Sequence, residues 1–164
     1  MDIETKIGRL LTIKGLTLSI AESCTGGLLC SRITDVPGSS AYFVGGIIAY
    51  SNKIKMQLLE VTKEALDTHG AVSAQVAIQM AKGVKEKYGT DIGLGITGIA
   101  GPGGSTPGSD ENMQKPVGLV YLSLAAAARE IICKKCKFTG QRKDIRIQST
   151  QTMFEMLLDH LTVG

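Results

Sequence analysis

An apolar strand pattern that leads directly into a polar, glycine-marked turn constrains the fold of this chain most strongly. Residues 17–21 have the alternation of a strand, residues 22–27 read ESCTGG, and a second apolar segment follows over residues 28–33. This order predicts a strand, a turn and a helix in immediate succession. Because ligands of open α/β sheets bind beyond the carboxyl ends of the strands, the turn is the first place to look for a functional site.

Helical and strand patterns alternate along the rest of the chain. Apolar spacing predicts a helix that ends at Gly15 and another that runs from Ser73 to Gly89. Further segments follow the same two patterns: strands over 41–51, 91–97, 117–127 and 129–138, a loop over 98–116, and a last helix over 143–161. The order predicts one α/β domain over residues 1–164, a three-layer α/β/α sandwich with a mixed, mostly parallel sheet.

Composition excludes several classes of protein. A hydrophobic content of 43% with 20% charged residues is typical of a globular domain, and the apolar runs are too short to cross a bilayer. The first residues lack the pattern of a secretory signal, so we expect a cytoplasmic protein with reduced cysteines. A net charge of only +3, few aromatic residues (4%) and no basic stripe argue against nucleic-acid binding.

Ser23 lies directly after the first predicted strand and has two interpretations. Its hydroxyl can simply cap the following helix by accepting a backbone N–H bond. Alternatively it is a nucleophile beside an anion site, because Gly26 and Gly27 allow a close approach of backbone and the helix N-terminus supplies N–H donors. On the second interpretation the turn, with Thr25, Gly26 and Gly27, binds a substrate.

A nucleophilic serine needs a base, and a lysine is the better candidate here. The two histidines, His69 and His160, do not lie in a recognisable triad motif. The segment YSNKIK places Tyr50, Lys53 and Lys55 just after another strand. A lysine acts as a base only if burial or positive charge lowers its pKa, and the tyrosine hydroxyl can donate or relay a proton. These residues alone do not choose between the two lysines, and the start of a solvated helix explains both.

The segment GLGITGIAGPGG has the formal G-x-G-x-x-G spacing, but its glycines fall within a strand and a proline-containing loop follows. It therefore does not indicate a dinucleotide site. We expect a second loop that approaches a ligand closely through Thr97, Gly98 and Ala100. Cys133 and Cys136 lack the further ligands that zinc requires, so no metal is expected.

Arg142 and Arg146 lie four residues apart at the start of the last predicted helix and hence share a face. Such a pair can hold a phosphate or a carboxylate through bidentate contacts. A solvated helix face explains the pair equally well.

Several motifs together resemble the CinA C-terminal domain family: AESCTGG, GSSAYFVGGIIAYSNKIK, HGAVS, GITGIAGPGG, KPVGLVY and FTGQRKDIR. The resemblance covers about residues 7–161. It implies a compact α/β/α domain that hydrolyses nicotinamide mononucleotide to nicotinic acid mononucleotide and ammonia, without metal or other cofactor. The loop between the GIAGP and KPVG motifs is longer and more polar than this family leads us to expect.

Carried onto this sequence, the resemblance implies that Ser23 is the nucleophile, Tyr50 a supporting or relay group and Lys55 the base. It favours Lys55 over Lys53, places the family's arginine region at Arg142 and Arg146 without choosing between them, and favours Ser23 over Cys24 as the nucleophile. A homodimer is expected. The alternative is a non-catalytic domain of the same fold that binds a nucleotide or a protein partner, since the family is associated with competence and DNA damage.

Overall fold

The computed structural model describes residues 1–104, 115–127 and 130–163. Most of the polar loop predicted over residues 98–116 lies outside these described residues. Strands and helices alternate through the first half of the chain, and two adjacent strands precede the last helix. The elements are α1 (Ile3–Lys14), β1 (Leu18–Glu22), α2 (Leu28–Thr34), β2 (Phe43–Ile48), α3 (Asn52–Leu59), α4 (Lys63–His69), α5 (Ala74–Tyr88), β3 (Ile92–Gly98), β4 (Leu119–Ala125), β5 (Ile131–Lys137) and α6 (Arg142–Val163).

The five strands form one mixed sheet in the order β2-β1-β3-β4-β5. β1 pairs in parallel with β2 and β3, whereas β4 is antiparallel to both of its neighbours, so four strands point in one direction. The predicted mixed, mostly parallel sheet is confirmed. The last residue of β1, Glu22, pairs with Ile48 and Ile96, so β1, β2 and β3 end at the same edge of the sheet.

Helices cover both faces of the sheet, which confirms the three-layer sandwich. α1, α2 and α6 pack together on one face over a core that includes Ile20, Leu94 and Phe154. α3 and α4 pack against α5 on the other face, over a core that includes Ala21, Val76 and Met80. Burial of these apolar side chains is the main force that holds the layers together.

The predicted helix boundaries agree with local capping chemistry. Ser73 accepts a bond from the N–H of Val76 at the start of α5, and Gly15 and Gly89 end α1 and α5 in the left-handed conformation. The sequence did not predict the short helix α4, whose N-cap is Thr62. Its seven residues are mostly polar and bury only two side chains, so its apolar periodicity is weak.

Two glycines of β3 allow the close packing of α5. A Cβ atom added at Gly95 would lie 2.5 Å from the carbonyl oxygen of Ala77, and one added at Gly93 would overlap the carbonyl of Ala81. α5 therefore approaches the strand so closely that only hydrogen fits between them. This packing explains Gly93 and Gly95 without any dinucleotide, whereas a Cβ atom added at Gly98 would lie 2.6 Å from the side chain of Val120 in β4.

Candidate functional site

The three strand ends at one edge of the sheet enclose a cavity of about 200 Å³. Ser23 follows β1, Tyr50 lies after the end of β2, and Thr97 is the second-to-last residue of β3. The cavity lies where the sheet topology favours a ligand site, beyond the carboxyl ends of parallel strands. Its wall includes Ser23, Cys24, Tyr50, Asn52, Lys55, Val72, Thr97, Gly98, Ala100 and Arg142.

The structure brings the side chains of Ser23 and Lys55 together. Lys55 Nζ lies 3.0 Å from Ser23 Oγ, and the same nitrogen donates to the carbonyl oxygens of Ala49 at 2.8 Å and Tyr50 at 3.1 Å. α3 begins at Asn52 with Ser51 as its N-cap, and its first turn directs Lys55 inward while Lys53 stays exposed. The lysine chosen by the family resemblance is thus the buried one.

Lys55 is 1% exposed, which makes it the largest fully buried side chain among the described residues. No carboxylate of the described chain lies within ion-pair distance of its ammonium group. Burial disfavours the charged form and lowers the pKa of Lys55 to about 8, although an electrostatic contribution from Cys24 acts in the opposite direction. A buried lysine with a lowered pKa is suited to act as a base near neutral pH.

The turn after Ser23 is organised by the buried side chain of Glu22. Its carboxylate accepts bonds from the N–H groups of Gly27 and Leu29 at one oxygen and of Cys30 at the other, over 2.8–3.2 Å. The N–H of Gly26 is bonded to the carbonyl of Ser23. Of the two amides predicted to bind an anion, that of Gly27 is therefore occupied by a carboxylate of the protein itself and that of Gly26 by a main-chain carbonyl.

Ser23 does not cap α2 with its side chain. The N-cap residue is Gly27, and no side-chain bond is made from that position. Gly27 has a φ of 98° and Gly26 a φ of 59°, both in the left-handed region. Glycine adopts this region readily, which explains why two glycines occur here. Thr25 is fully buried, and its hydroxyl has no partner among the described residues. Neither Thr25 nor the two glycines belongs to the described wall of the cavity.

The two arginines of α6 share a helix face but have different partners. Arg142 lines the cavity, donates to the carbonyl of Gly101 at 2.6 Å and donates to the hydroxyl of Tyr50 at 3.0 Å. Arg146 donates from Nε to the carbonyl of Cys24 at 3.1 Å and from a terminal nitrogen to that of Thr25 at 2.8 Å. Arg142 is thus the arginine available to a ligand in the cavity.

Tyr50 contacts the other site residues at two points. Its backbone carbonyl accepts from Lys55, while its hydroxyl accepts from Arg142. The side chain is 61% exposed and forms part of the cavity wall. Within the described chain the Tyr50 hydroxyl makes no direct hydrogen bond to Ser23 or to Lys55 Nζ. Its hydrogen bond is to Arg142.

The end of β3 and the loop after it supply another part of the wall. Thr97, Gly98 and Ala100 line the cavity, as predicted for a loop that approaches a ligand. The Thr97 hydroxyl donates to the carbonyl of Ala71 at 2.8 Å and so ties this wall to the segment before α5. The main-chain N–H groups of Cys24 and Ala100 donate to no backbone carbonyl among the described residues. Both are candidates to bind an oxyanion.

The comparison with protein families agrees with this architecture. The sequence model of the CinA C-terminal domain matches residues 1–161. The chain belongs to the CinA C-terminal domain family.

Relatives of this CinA domain are similar over nearly all of its length. A CinA-like protein of Thermosynechococcus vestitus is 49% identical over 160 residues, which are 96% of this chain and 37% of that protein. A crystal structure of a competence/damage inducible protein from Agrobacterium tumefaciens is 39% identical with a TM-score of 0.86, and covers 97% of this chain and 95% of that one. A CinA superfamily protein of Klebsiella pneumoniae is 29% identical with a TM-score of 0.90, over 99% and 97%.

The chain spans only 36% or 37% of the length of the first curated relatives that it matches. Activities of those whole proteins therefore apply to this CinA domain only as proposals. None of its described helices is long and apolar enough to cross a membrane.

The cysteines of this CinA domain are free. Cys24 is 6% exposed, and burial raises its pKa to about 12, so its thiol stays protonated beside Ser23. Over residues 1–104, 115–127 and 130–163, no group of three histidine, cysteine or acidic side chains has the geometry of a metal site.

Sequence reasoning did not single out Asn52 or Glu22 as site residues. Asn52 lines the cavity from the first position of α3. Glu22 is buried directly before residues 23–27, which we call the Ser23 turn. A signal for Glu22 was present, because an acidic residue at the end of a mainly apolar strand requires a partner if the strand is buried.

Proposed function

We propose that this CinA domain is an amidase that uses Ser23 as its nucleophile and Lys55 as its base. The observation that supports this most strongly is the 3.0 Å contact between Lys55 Nζ and Ser23 Oγ. The lysine is 1% exposed, and no carboxylate among the described residues forms an ion pair with it. Burial of an unpaired lysine opposes folding, so its presence in a cavity favours a chemical role.

Two carbonyl groups orient the lysine for proton transfer. When Lys55 is neutral, its two N–H bonds point to the carbonyls of Ala49 and Tyr50, and its lone pair faces Ser23 Oγ. The serine hydroxyl then donates to the amine instead of accepting from it. The lysine is thus held in the orientation that a general base requires.

The proposed reaction is acyl transfer in two steps. Ser23 gives its proton to Lys55 while Oγ attacks the carboxamide carbon, and the protonated lysine then gives a proton to the leaving nitrogen as the C–N bond breaks. Ammonia leaves and an ester with Ser23 remains. Water attacks that ester with Lys55 again as base, which releases the carboxylic acid and restores the serine hydroxyl.

The tetrahedral intermediates carry a negative charge on the former carbonyl oxygen. We assign its stabilisation to main-chain N–H groups in the cavity wall, with those of Cys24 and Ala100 as candidates, and not to the amide of Gly27, which is bonded to Glu22. In comparable sites one such donor contributes roughly 3–4 kcal/mol to the transition state.

The proposed substrate is nicotinamide mononucleotide, as the family resemblance implies. Arg142 is the candidate ligand of its phosphate, because its guanidinium group is at the cavity wall. Thr97, Gly98 and Ala100 would bind the rest of the nucleotide. The mechanism places no step on a metal or other cofactor.

The test is ammonia release from nicotinamide mononucleotide by the wild type, Ser23→Ala and the control Ser40→Ala, which alters an exposed serine. We expect release by the wild type and the control and its loss in Ser23→Ala, with circular dichroism showing that all three are folded. Equal rates in Ser23→Ala would mean that the nucleophile is misassigned. No release from folded wild type would favour the alternative, a domain that binds a nucleotide or a protein without catalysis.

A further inference from the structure

We infer that Glu22 and Arg146 are positioning residues that hold the Ser23 turn from two sides and so keep Ser23 Oγ in line with Lys55. This inference rests on the proposed function, because it assigns a role within that reaction. It also gives Arg146 a role other than phosphate binding.

Glu22 holds the turn through its N–H groups. The side chain is 0% exposed, and its two carboxylate oxygens accept three main-chain bonds from the start of α2. No lysine or arginine of the described chain forms an ion pair with it, so the helix N-terminus is its main compensation for burial. Any displacement of the turn would break bonds to a buried charge, which is costly.

Arg146 holds the same turn through its carbonyl groups. Its guanidinium group reaches from α6 to the carbonyl oxygens of Cys24 and Thr25, which directly follow Ser23. A Cβ atom added at Gly26 would lie 3.3 Å from a terminal nitrogen of Arg146, so the absence of a side chain at Gly26 helps this approach. The planar fork of an arginine suits two adjacent carbonyls, whereas a lysine offers a single point of contact.

The lysine side of the pair is fixed independently. Lys55 is held by the carbonyls of Ala49 and Tyr50, which belong to the end of β2 and not to the Ser23 turn. The contact between the two reacting groups therefore depends on two separately anchored segments. A shift of about 1 Å in one of them is enough to lower a rate roughly 100-fold.

Substitution of the two arginines of α6 should therefore change different kinetic constants. Arg142 touches the cavity, so its substitution should raise KM. Arg146 touches only the turn among the described residues of the site, so its substitution should lower kcat and leave KM nearly unchanged.

The test uses a fluorophosphonate, a probe that reports the nucleophilicity of Ser23 without requiring turnover of any amide. Ser23 Oγ forms a bond to phosphorus, fluoride leaves, and the hydroxyl proton passes to Lys55. Rates of labelling at Ser23, located by mass spectrometry, are compared for the wild type, Arg146→Lys, Arg146→Met and Glu22→Gln. Arg9→Lys and Glu64→Gln, at exposed positions, are the matched controls.

We expect Arg146→Met and Glu22→Gln to lower the labelling rate about 10-fold to 100-fold, with Arg146→Lys in between because it restores one contact. The midpoint of the pH profile should not move, because Lys55 keeps its own two carbonyl partners. The controls should label at the wild-type rate. A purely structural role would lower the melting temperature without this graded loss of rate.

Labelling of folded Arg146→Met or Arg146→Lys at the wild-type rate would overturn the inference, and so would a shift of the pH midpoint in place of a lower plateau. If Glu22→Gln does not fold, the two Arg146 variants decide alone. If the wild type is labelled at Ser23 but releases no ammonia from nicotinamide mononucleotide, the proposed substrate is wrong while the labelling rates still decide the inference. If the wild type is not labelled at Ser23, the nucleophile and the inference are both wrong.

Discussion

Lys55 Nζ and Ser23 Oγ lie 3.0 Å apart although 32 residues separate them in the sequence. The topology creates this contact, because β1 and β2 are parallel neighbours and the residues that follow them meet at one edge of the sheet. Ser23 follows β1 directly, while Lys55 belongs to the first turns of the helix after β2. The sheet topology, together with the short segments that follow β1 and β2, therefore brings Ser23 and Lys55 into contact.

Activity should increase with pH through about 8 and then reach a plateau. The neutral form of Lys55 is the base, and burial lowers the pKa of this lysine to about 8. Below that value, the rate should rise about tenfold per pH unit. The measurement is kcat/KM for ammonia release between pH 6 and pH 10 in the wild type, because kcat/KM reports the pKa of the free protein, with melting curves to confirm that it is folded throughout. A profile that is flat across this range would argue against Lys55 as the base.

Stability should respond to the same titration with a definite sign. The pKa of Lys55 is about 8 in the folded chain against an ordinary 10.5, so between these values the unfolded chain binds more protons. The free energy of unfolding from this group alone therefore rises with pH across that window, by about 3 kcal/mol in total.

The buried cysteines Cys24 and Cys136 act in the opposite direction, because burial raises their pKa values in the folded chain. The useful quantity is therefore the difference in unfolding free energy between the wild type and Lys55→Met, measured by urea denaturation at pH 7.5 and at pH 10.5. We expect the wild type to gain relative to the variant as pH rises. An unchanged difference would contradict the lowered pKa.

Arg142→Ala should raise KM for nicotinamide mononucleotide about 10-fold to 100-fold and leave kcat nearly unchanged. The reason is that charge-assisted hydrogen bonds to a phosphate contribute about 1.5–3 kcal/mol, and this arginine lies in the cavity wall. Steady-state kinetics on the nucleotide and on its riboside, which lacks the phosphate, check the prediction. Lys143→Ala, at an exposed neighbouring position, is the control. An equal rise in KM for both substrates would mean that Arg142 does not bind the phosphate.

Tyr50→Phe should affect binding more than chemistry. The hydroxyl accepts a bond from Arg142 at 3.0 Å, so its loss should free that arginine and raise KM about 2-fold to 10-fold. The backbone carbonyl that holds Lys55 is unchanged in this variant. If kcat falls instead and the pH profile changes, the relay role that the family resemblance implies for Tyr50 would be supported.

Much of this site could be predicted from local sequence, because a strand end followed by a polar turn has few alternatives. The sequence identified the Ser23 turn, the close-approach loop at Thr97 and the stops of α1 and α5 at Gly15 and Gly89. It could not choose between Lys53 and Lys55 without the family resemblance. That choice depends on how α3 rotates against the sheet, which packing decides.

The role of the glycine pair shows a different limit. Gly26 and Gly27 predicted a close approach of backbone to a ligand, whereas the side chains that lie nearest to them in the structure are those of Arg146 and Ile48. Local pattern does not reveal that the Glu22 carboxylate already fills the helix N-terminus. The expected homodimer depends on surfaces of two chains and stays a prediction.

Gly95→Ala should destabilise the fold without touching the cavity wall. A methyl group at this position would lie 2.5 Å from the carbonyl oxygen of Ala77 and 2.7 Å from the N atom of Ala81, so α5 must move away from β3. Overpacking of this kind costs about 1–3 kcal/mol in the free energy of unfolding. Urea denaturation of Gly95→Ala beside Gly103→Ala, where no heavy atom of the described residues lies within 4 Å of the added carbon, checks the prediction. Equal midpoints for the two variants would show that α5 can shift without cost, and the glycine at position 95 would then need another explanation.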